Sequence, residues 1–319
     1  MNHPTSSWSP AQAQALEFAW GEYRVWAATA RQKKKEIATW RLRVLGFIIL
    51  GALLGTASSQ IPGSFLEALL GNVSGKPSEA LDLASRIFGI AGGVLIALAV
   101  YLGREILKPD QERLWVRTRS LAEALKAETF LFRIGAPPYD SPEPASTLLG
   151  RVQELLDQVK DLPAAILTQE ERLEGLPEGH LTAGQYIEER LNEQVERFYR
   201  PRARQYDKLM KRWRTVTLMI GGSAAILGAL GKCTAAWVAV LTTIGTSVAA
   251  HIFANRYQYL IISYQATARQ LEFLKHQWMV MGAPEQDPEK RGRFIMDCEA
   301  AISIENNAWM AKWVEKSSG

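Results

Sequence analysis

The residue pair best suited to bind a phosphate is Gly231-Lys232, within the apolar stretch GALGKCTAAW. A phosphate-binding loop needs a glycine five positions before Gly231 and a serine or threonine directly after the lysine, so that backbone N–H groups and the lysine enclose the phosphates. Ile226 and Cys233 occupy those two positions. The pair is therefore not a nucleotide-binding loop, and we interpret it as a turn between two apolar segments.

Residues able to carry out acid–base, nucleophilic or metal chemistry are scattered along the chain. The sequence contains no HExxH, GxSxG or CxxC motif and no glycine-rich dinucleotide loop. Glu299 and Glu305 could suggest paired catalytic acids, but their separation of six residues places them well apart around a helix. A salt bridge to an arginine such as Arg269 is the favoured interpretation of these acids. We therefore predict no enzymatic activity, no metal site and no cofactor.

Four long apolar stretches of the chain contain no Asp, Glu, Lys or Arg, although the 47% apolar content of the 319 residues lies within the soluble range. A helix needs about 17–25 apolar residues to cross a bilayer, and flanking residues extend each stretch towards that length. We predict four transmembrane helices that form two hairpins. Four buried helices of a soluble protein are the alternative. The predicted spans are Val44–Ala57, Ile87–Leu102, Val216–Leu230 and Ala235–Ala250.

Basic residues fall on one side of the predicted membrane if all four helices cross it. The two outer loops then hold only Lys76, Arg86 and Lys232. Because positive residues favour the cytoplasmic side, both termini are predicted to be cytoplasmic. The basic residues beside the spans are expected to contact anionic lipid, and nucleic-acid binding by the tract RPRARQYDKLMKRWR is the less favoured alternative. The predicted lipid contacts are Lys33, Lys34, Lys35, Arg41, Arg43, Lys211, Arg212 and Arg214.

The chain contains two copies of one plan. Residues 30–55 align without gaps with residues 203–228, and each copy later contains the sequence Gly-Ala-Pro, which starts at Gly135 or at Gly282. Each copy is predicted to hold a helix that enters the membrane, a return span and an emerging helix. No alternating strand pattern of useful length is present, so the predicted fold is all-α. The predicted organisation is a two-span unit at residues 1–140, a linker at 141–181 and a second two-span unit at 182–319.

The linker contains one stripe of apolar residues at helical spacing, which follows Pro142 and Pro144. Packing on neighbouring helices is the favoured interpretation, and contact with another subunit is the alternative. The helix that follows, from Thr182 to Tyr199, is predicted to be broken at Pro201. The stripe consists of Leu148, Leu149, Val152, Leu155, Leu156, Val159 and Leu162.

Small residues gather on faces of the predicted spans. Gly51 and Gly55 form a GxxxG pair in the first span. Small faces let helices approach closely in lipid, where hydrophobicity contributes little to association. On the third and fourth spans they are either packing surfaces or the lining of a hydrated path, with bulky aliphatic residues towards lipid. The candidates for these two roles are Gly221, Gly228, Ala239, Thr243, Thr246, Ser247 and Ala250.

The C-terminal segment DCEAAISIENNAWMAKW carries Cys298-Glu299, Glu305-Asn306 and Trp309. This pattern and the two-span layout resemble the SLATT family, the SMODS- and SLOG-associating two-transmembrane effectors, here as a tandem pair. The resemblance implies a bacterial inner-membrane protein of conflict systems that forms or opens a pore when a nucleotide-linked sensor responds. A homo-oligomer with a nucleotide-sensing or nucleotide-producing partner is expected.

The C-terminal helix is expected to couple cytoplasmic events to the fourth span. The coupling residues would be Glu299, Glu305, Asn306 and Trp309, on a helix docked near Arg256–Trp278. Two functions follow from these observations. One is an effector that oligomerises and opens an ion-permeable path on a cytoplasmic signal. The other is a non-conducting membrane scaffold that anchors a soluble partner.

Overall fold

Every regular element in the described part of the chain is helical. The structure is a computed structural model that describes residues 8–60, 79–106, 108–231 and 234–315. No strand forms within those ranges, in agreement with the predicted all-α class. In chain order the helices are α1 (Pro10–Gln60), α2 (Glu79–Glu105), α3 (Pro109–Ile134), α4 (Pro144–Asp157), α5 (Gln169–Leu173), α6 (Ala183–Tyr186), a π-helix (Ile187–Tyr199), α7 (Arg200–Ala229), α8 (Ala235–Ala254), α9 (Tyr257–Val280) and α10 (Pro288–Glu315).

Three helices in the described residues begin with a capping box, in which side chains accept hydrogen bonds from backbone N–H groups at the helix start. At the start of α1, the Ser9 backbone N–H donates to Gln12 Oε1 at 2.9 Å, and the Gln12 backbone N–H donates to Ser9 Oγ at 3.2 Å. Thr168 and Thr182 form the same capping box at the starts of α5 and α6. These boundaries follow from local sequence, because a capping box needs only residues three positions apart.

Three helical stretches are long and apolar enough to cross a membrane. The described residues thus contain three candidate spans, Pro10–Gln60, Asp82–Glu105 and Ala235–Val280, and not the four that were predicted. The missing one is the last part of α7, which ends at Ala229. Its charge-free residues after Arg214 fall short of the roughly 17 that a bilayer requires. The predicted outer turn at Lys232, with Cys233, lies outside the described residues.

The two halves of the chain repeat the same helix ending. α3 and α9 are each followed by a glycine with a positive φ angle, Gly135 at +64° and Gly282 at +77°. In both places the next N–H, of Ala136 or Ala283, donates to the carbonyl five residues earlier, at 3.1 Å and 3.0 Å. This closure is a frequent helix ending, and it favours glycine at the left-handed position. The repeated Gly-Ala-Pro sequence therefore encodes a repeated helix end.

The helices assemble into two compact units, and each unit draws on both halves of the chain. The first, termed the peripheral unit, comprises Met1–Lys35, Pro109–Gln205 and Leu260–Gly319. The second, termed the membrane unit, comprises Glu36–Lys108 and Tyr206–Tyr259. The compact units therefore interleave the two sequence repeats and do not follow the predicted repeat boundaries.

The core of the peripheral unit accounts for the apolar stripe of the linker. Leu148 and Val152 of α4 are completely buried in a cluster with Trp26 of α1 and Leu125 of α3. Leu149, on the other side of α4, is exposed. Most of the stripe thus packs on neighbouring helices of the same chain, which confirms the favoured interpretation.

In the membrane unit, α1 and α2 touch through glycine. A Cβ atom on Gly51 would lie 3.0 Å from the carbonyl oxygen of Gly92, and one on Gly92 would lie 2.8 Å from the backbone nitrogen of Gly55. At these distances a side chain fits only if the helices move apart. The GxxxG pair of α1 is therefore a close packing surface.

Candidate functional site

Glu299 forms a buried ion pair with Arg190. Arg190 Nε donates to Glu299 Oε1 at 3.0 Å, and Arg190 Nη2 donates to Glu299 Oε2 at 2.9 Å. The two side chains are 1% and 5% exposed. The Tyr186 hydroxyl donates to Glu299 Oε1 at 2.8 Å. A guanidinium and a carboxylate joined by two parallel hydrogen bonds make a strong and geometrically specific contact.

The expected salt bridge of Glu299 to an arginine forms, but the partner is not Arg269. Arg269 Nε donates to the backbone carbonyl of Gln265, one turn earlier on α9. The arginine that binds Glu299 lies 109 positions before it in the chain. The sequence offers many arginines, and no local pattern selects among them. The side chains of the other predicted coupling residues, Glu305, Asn306 and Trp309, lie outside the described part of the structure.

Aromatic rings enclose the ion pair and help to fix its charges. The Arg190 guanidinium lies 5.1 Å from the centroid of the Phe130 ring, and Phe130 meets the Tyr186 ring edge-on at 5.9 Å. Burial, followed by the charge of Glu299, raises the pKa of Tyr186 well above its usual value, so its hydroxyl stays a donor. Burial would lower the pKa of Arg190, but the charge and hydrogen bonds of Glu299, together with the charge of Glu123, more than offset burial and raise it.

A second carboxylate lies beside Arg190 without bonding to it. Glu123 Oε2 on α3 is 3.8 Å from Arg190 Nη2, which is within ion-pair distance but beyond a hydrogen bond. Glu123 Oε2 and Arg190 Nη1 are both buried and have no hydrogen-bond partner among the described residues. One arginine on the π-helix therefore links α3 to α10, with a strong contact to Glu299 and a weak contact to Glu123.

The π-helix that carries Arg190 was not predicted. The Arg200 N–H at its end donates to the carbonyl of Val195, five residues earlier, instead of the usual four. Such turns are rare and often occur at functional sites. The predicted break at Pro201 was wrong, because α7 begins at Arg200 and proline is tolerated in the first turn of a helix.

In the membrane unit, α8 presents a buried bulky face and an exposed small face. Val240, Ile244 and Val248 are buried with Leu45 of α1. The expectation that these aliphatic residues face lipid was wrong, because other helices of the same unit cover them. On the small face Ala239, Thr243, Thr246 and Ala250 are exposed, and Ser247 is half-buried.

The hydroxyl groups of the small face bond within α8. Thr243 Oγ1 donates to the carbonyl of Ala239 at 3.0 Å, and Ser247 Oγ donates to the carbonyl of Thr243 at 2.8 Å. Thr246 bonds in the same way to the carbonyl four residues before it. These bonds leave no hydroxyl donor unpaired in an apolar environment. The face can therefore adjoin lipid, a second helix or water.

The space beside the predicted small residues of α7 is also unoccupied by other helices among the described residues. A Cβ atom on Gly221 or on Gly228 would meet no atom within 4 Å. This is the opposite of Gly51 and Gly92, where the helices already touch. Within the described residues, no helix packs closely on these two positions of α7.

The basic residues predicted to contact lipid lie along α1 and α7. Lys34 Nζ lies 5.5 Å from the centroid of the Trp115 ring, and the Arg43 guanidinium lies 4.7 Å from that of Trp40. Lys211 forms an ion pair of 2.7 Å with Asp207. The exposed members of the set are Lys35, Arg43, Lys211, Arg212 and Arg214, and the half-buried members are Lys33, Lys34 and Arg41.

Two family models match the chain, one in each half. Residues 186–309 match the SMODS and SLOG-associating 2TM effector domain 1, a range that contains both partners of the buried ion pair. Residues 186–309 belong to the SLATT family. Residues 24–147 match DUF4231, described as a protein of unknown function, and this second match is consistent with a tandem form. Comparison with curated proteins and with solved structures finds no match.

The SLATT match at residues 186–309 indicates a membrane effector of conflict and defence systems. The SLATT region includes α8, the most apolar helix described. In the described ranges, no group of three or more His, Cys, Asp or Glu residues is arranged to hold a metal ion. The candidate functional features are therefore the buried ion pair of the peripheral unit and the exposed small faces of the membrane unit.

Proposed function

We propose that this protein is a membrane effector of a bacterial conflict or defence system that forms a homo-oligomer and opens an ion-permeable path on a cytoplasmic signal. The SLATT region supports the membrane-effector part of the proposal. The proposed location is the inner membrane with both termini in the cytoplasm, as the distribution of basic residues favours. This arrangement requires the apolar end of α7 to cross as a fourth span, although it is shorter than the three candidate spans. A nucleotide-sensing or nucleotide-producing protein is the proposed source of the signal.

The exposed small face of α8 is the observation that carries oligomerisation and conduction. Its bulky face is already used inside the chain, so the face left for other subunits consists of Ala, Thr and Ser. Small faces of this kind associate in lipid because they allow close backbone approach. Since each hydroxyl is also an acceptor, Thr243 and Ser247 can bind water on one side while they bond to the helix on the other. Such a face suits a subunit contact or a narrow hydrated path.

The buried ion pair is the proposed coupling element. Arg190 stands on the π-helix, which continues directly into α7, and Glu299 stands on α10. A signal that moves α10 must displace or carry along this contact. Breaking one partner away from a buried pair costs about 3–5 kcal/mol, close to the roughly 5.5 kcal/mol that switches a two-state protein from 1:99 to 99:1. The pair can therefore hold the resting state and release it on a signal of ordinary binding energy.

Ion flux from liposomes that contain the purified full chain tests the proposal. We expect Thr243→Leu and Ser247→Leu to lower flux about tenfold or more, because leucine fills the path and removes a water-binding hydroxyl. Flux is compared in the wild type and in Glu299→Gln, which weakens the coupling contact and should raise basal flux. Thr215→Leu is the matched control, since Thr215 is an exposed threonine of α7 with the same type of intrahelical bond, 3.1 Å to the Lys211 carbonyl.

A non-conducting scaffold is the second candidate function, and the exposed side of α9 favours it. Ile262, Phe273 and Val280 are exposed on the peripheral unit, and neighbouring exposed apolar side chains often mark a protein interaction surface. A scaffold would leave the ion gradient intact in the wild type and in Glu299→Gln. It would also lose its partner when Phe273 and Val280 are replaced by serine.

A further inference from the structure

A groove of about 850 Å³ lies in the membrane unit along α7 and α8. The two helices run in opposite directions, because Trp213 contacts His251, with ring centroids 5.2 Å apart, while Ile220 lies next to Gly245. The groove has the size of an ordinary ligand pocket. Its lining residues are Met210, Arg214, Thr217, Leu218, Gly221, Gly222, Ala249, Ile252, Phe253, Arg256, Tyr257, Gln258 and Tyr259.

Charge and apolar surface are separated along this groove. Arg214 and Arg256 lie towards the end where α7 begins and α8 finishes, together with the polar side chains of residues 257–259. Gly221, Gly222 and Ala249 lie further along the helices, where the lining is small and apolar. The lining residues include two arginines and no carboxylate. An occupant must therefore be anionic at one end and apolar along the rest of its length.

The backbone at Arg256 is held in an unusual conformation. Its φ angle is +48°, in the left-handed region that non-glycine residues seldom adopt. The turn is closed by the Arg256 N–H, which donates to the Phe253 carbonyl at 3.1 Å, and by Asn255 Nδ2, which donates to the His251 carbonyl at 2.7 Å. Strained positions of this kind concentrate at ligand sites, because the surrounding structure holds them there. The turn places the second arginine at the groove.

We infer that the groove is a binding site for one anionic phospholipid. The phosphate is bound by Arg214 and Arg256, since guanidinium groups match phosphate oxygens in charge and geometry. An acyl chain lies against Leu218, Phe253 and the open backbone of Gly221. The basic residues of α1 and α7 attract anionic lipid in general, whereas this groove selects a single molecule. The inference concerns lipid binding alone and stands whether or not the protein conducts ions.

Native mass spectrometry of the full chain in neutral detergent tests the inference. The probes are phosphatidylglycerol, phosphatidylcholine and the soluble headgroup analogue glycerol phosphate. We expect the wild type to retain one phosphatidylglycerol with about tenfold or more preference over phosphatidylcholine, and glycerol phosphate not to compete. The double variant Arg214→Ala/Arg256→Ala should lose this preference. The Lys208→Ala variant should keep it, because Lys208 is exposed on the same helix, does not line the groove and is not among the predicted lipid contacts.

Filling the groove provides a second measurement that leaves every charge in place. Gly222→Leu should lower phosphatidylglycerol retention about tenfold, since a side chain at this position would enter open space within the groove. Gly228→Leu is the matched control, because Gly228 is equally open but does not line the groove. Equal retention of both lipids by the wild type would overturn the inference. An equal loss in Lys208→Ala would show diffuse attraction instead, and competition by glycerol phosphate would show a simple anion site.

Discussion

Removal of the Glu299 carboxylate should destabilise the protein more than removal of the neighbouring Glu123 carboxylate. Glu299→Ala leaves Arg190 buried at 1% exposure, with Glu123 3.8 Å away as its nearest remaining counter-charge. Breaking a buried pair in this way costs about 3–5 kcal/mol, because a charge stays in the interior without a partner. The same change also removes the acceptor of the Tyr186 hydroxyl.

Three further variants grade this effect. Glu299→Gln keeps an acceptor for Arg190 and Tyr186 but loses the charge, so it should cost about 1.5–3 kcal/mol. Glu123→Gln should cost less than about 1 kcal/mol, since Glu123 is a quarter exposed and makes no hydrogen bond to the arginine. The double variant Arg190→Met/Glu299→Leu should recover most of the loss, because both charges leave the interior together.

Thermal unfolding of the full chain in detergent, followed by tryptophan fluorescence, measures these differences. At about 2–4 °C per kcal/mol for a domain of 150–250 residues, Glu299→Ala should lower Tm by about 6–20 °C. The expected order of Tm loss is Glu299→Ala, then Glu299→Gln, then Glu123→Gln. If Glu299→Ala shifts Tm no more than Glu123→Gln does, the ion pair contributes little. The proposed coupling element would then have no energetic basis.

Two further predictions concern helix packing and pH. Gly92→Ala should lower Tm by about 2–12 °C, because the new Cβ would lie 2.8 Å from the Gly55 nitrogen and overpacking costs about 1–3 kcal/mol. The control is Gly93→Ala, whose Cβ would meet no atom within 4 Å, so its Tm should be unchanged or higher. Equal Tm values for the two variants would contradict the close contact between α1 and α2. Burial and the charge of Arg190 lower the pKa of Lys126 from 10.5 to about 8. Between these values the unfolded chain binds more protons than the folded chain, so the free energy of unfolding should rise from pH 8 to pH 10.5. We expect a rise of about 1–2 kcal/mol, less than the full shift implies, because the side chain keeps some exposure to solvent. Denaturant titrations at several pH values should show this rise in the wild type, and a Lys126→Met variant with the same slope would refute it.

Features that depend on neighbouring residues were readable from the sequence. The left-handed ends at Gly135 and Gly282 follow from a Gly-Ala-Pro pattern, and the burial of Leu148 and Val152 follows from helical spacing. In each case the physical cause lies within a few turns of one helix.

Features that depend on distant partners were not readable in this way. Arg190 and Glu299 are 109 residues apart, and nothing local distinguishes this arginine from the others. The prediction of which face of α8 contacts lipid was wrong for a related reason. Periodicity separates Val240 and Ile244 from Thr243, but only the position of Leu45 decides which face is covered. In a membrane, apolar residues can contact either lipid or a neighbouring helix, so hydrophobicity does not determine which face of α8 is covered.

The interleaved make-up of the two compact units also sets the order in which the protein can mature on the ribosome. Arg190 is synthesised 109 residues before Glu299, which at about 5–20 residues per second is a delay of roughly 5–22 s. Throughout that interval Arg190 lacks Glu299, and the peripheral unit is incomplete until the segment that starts at Leu260 has been synthesised. Only a chain translated into α10 can close this unit. Prematurely terminated products thus keep exposed the charge and apolar surface by which chaperones and proteases recognise incomplete membrane proteins.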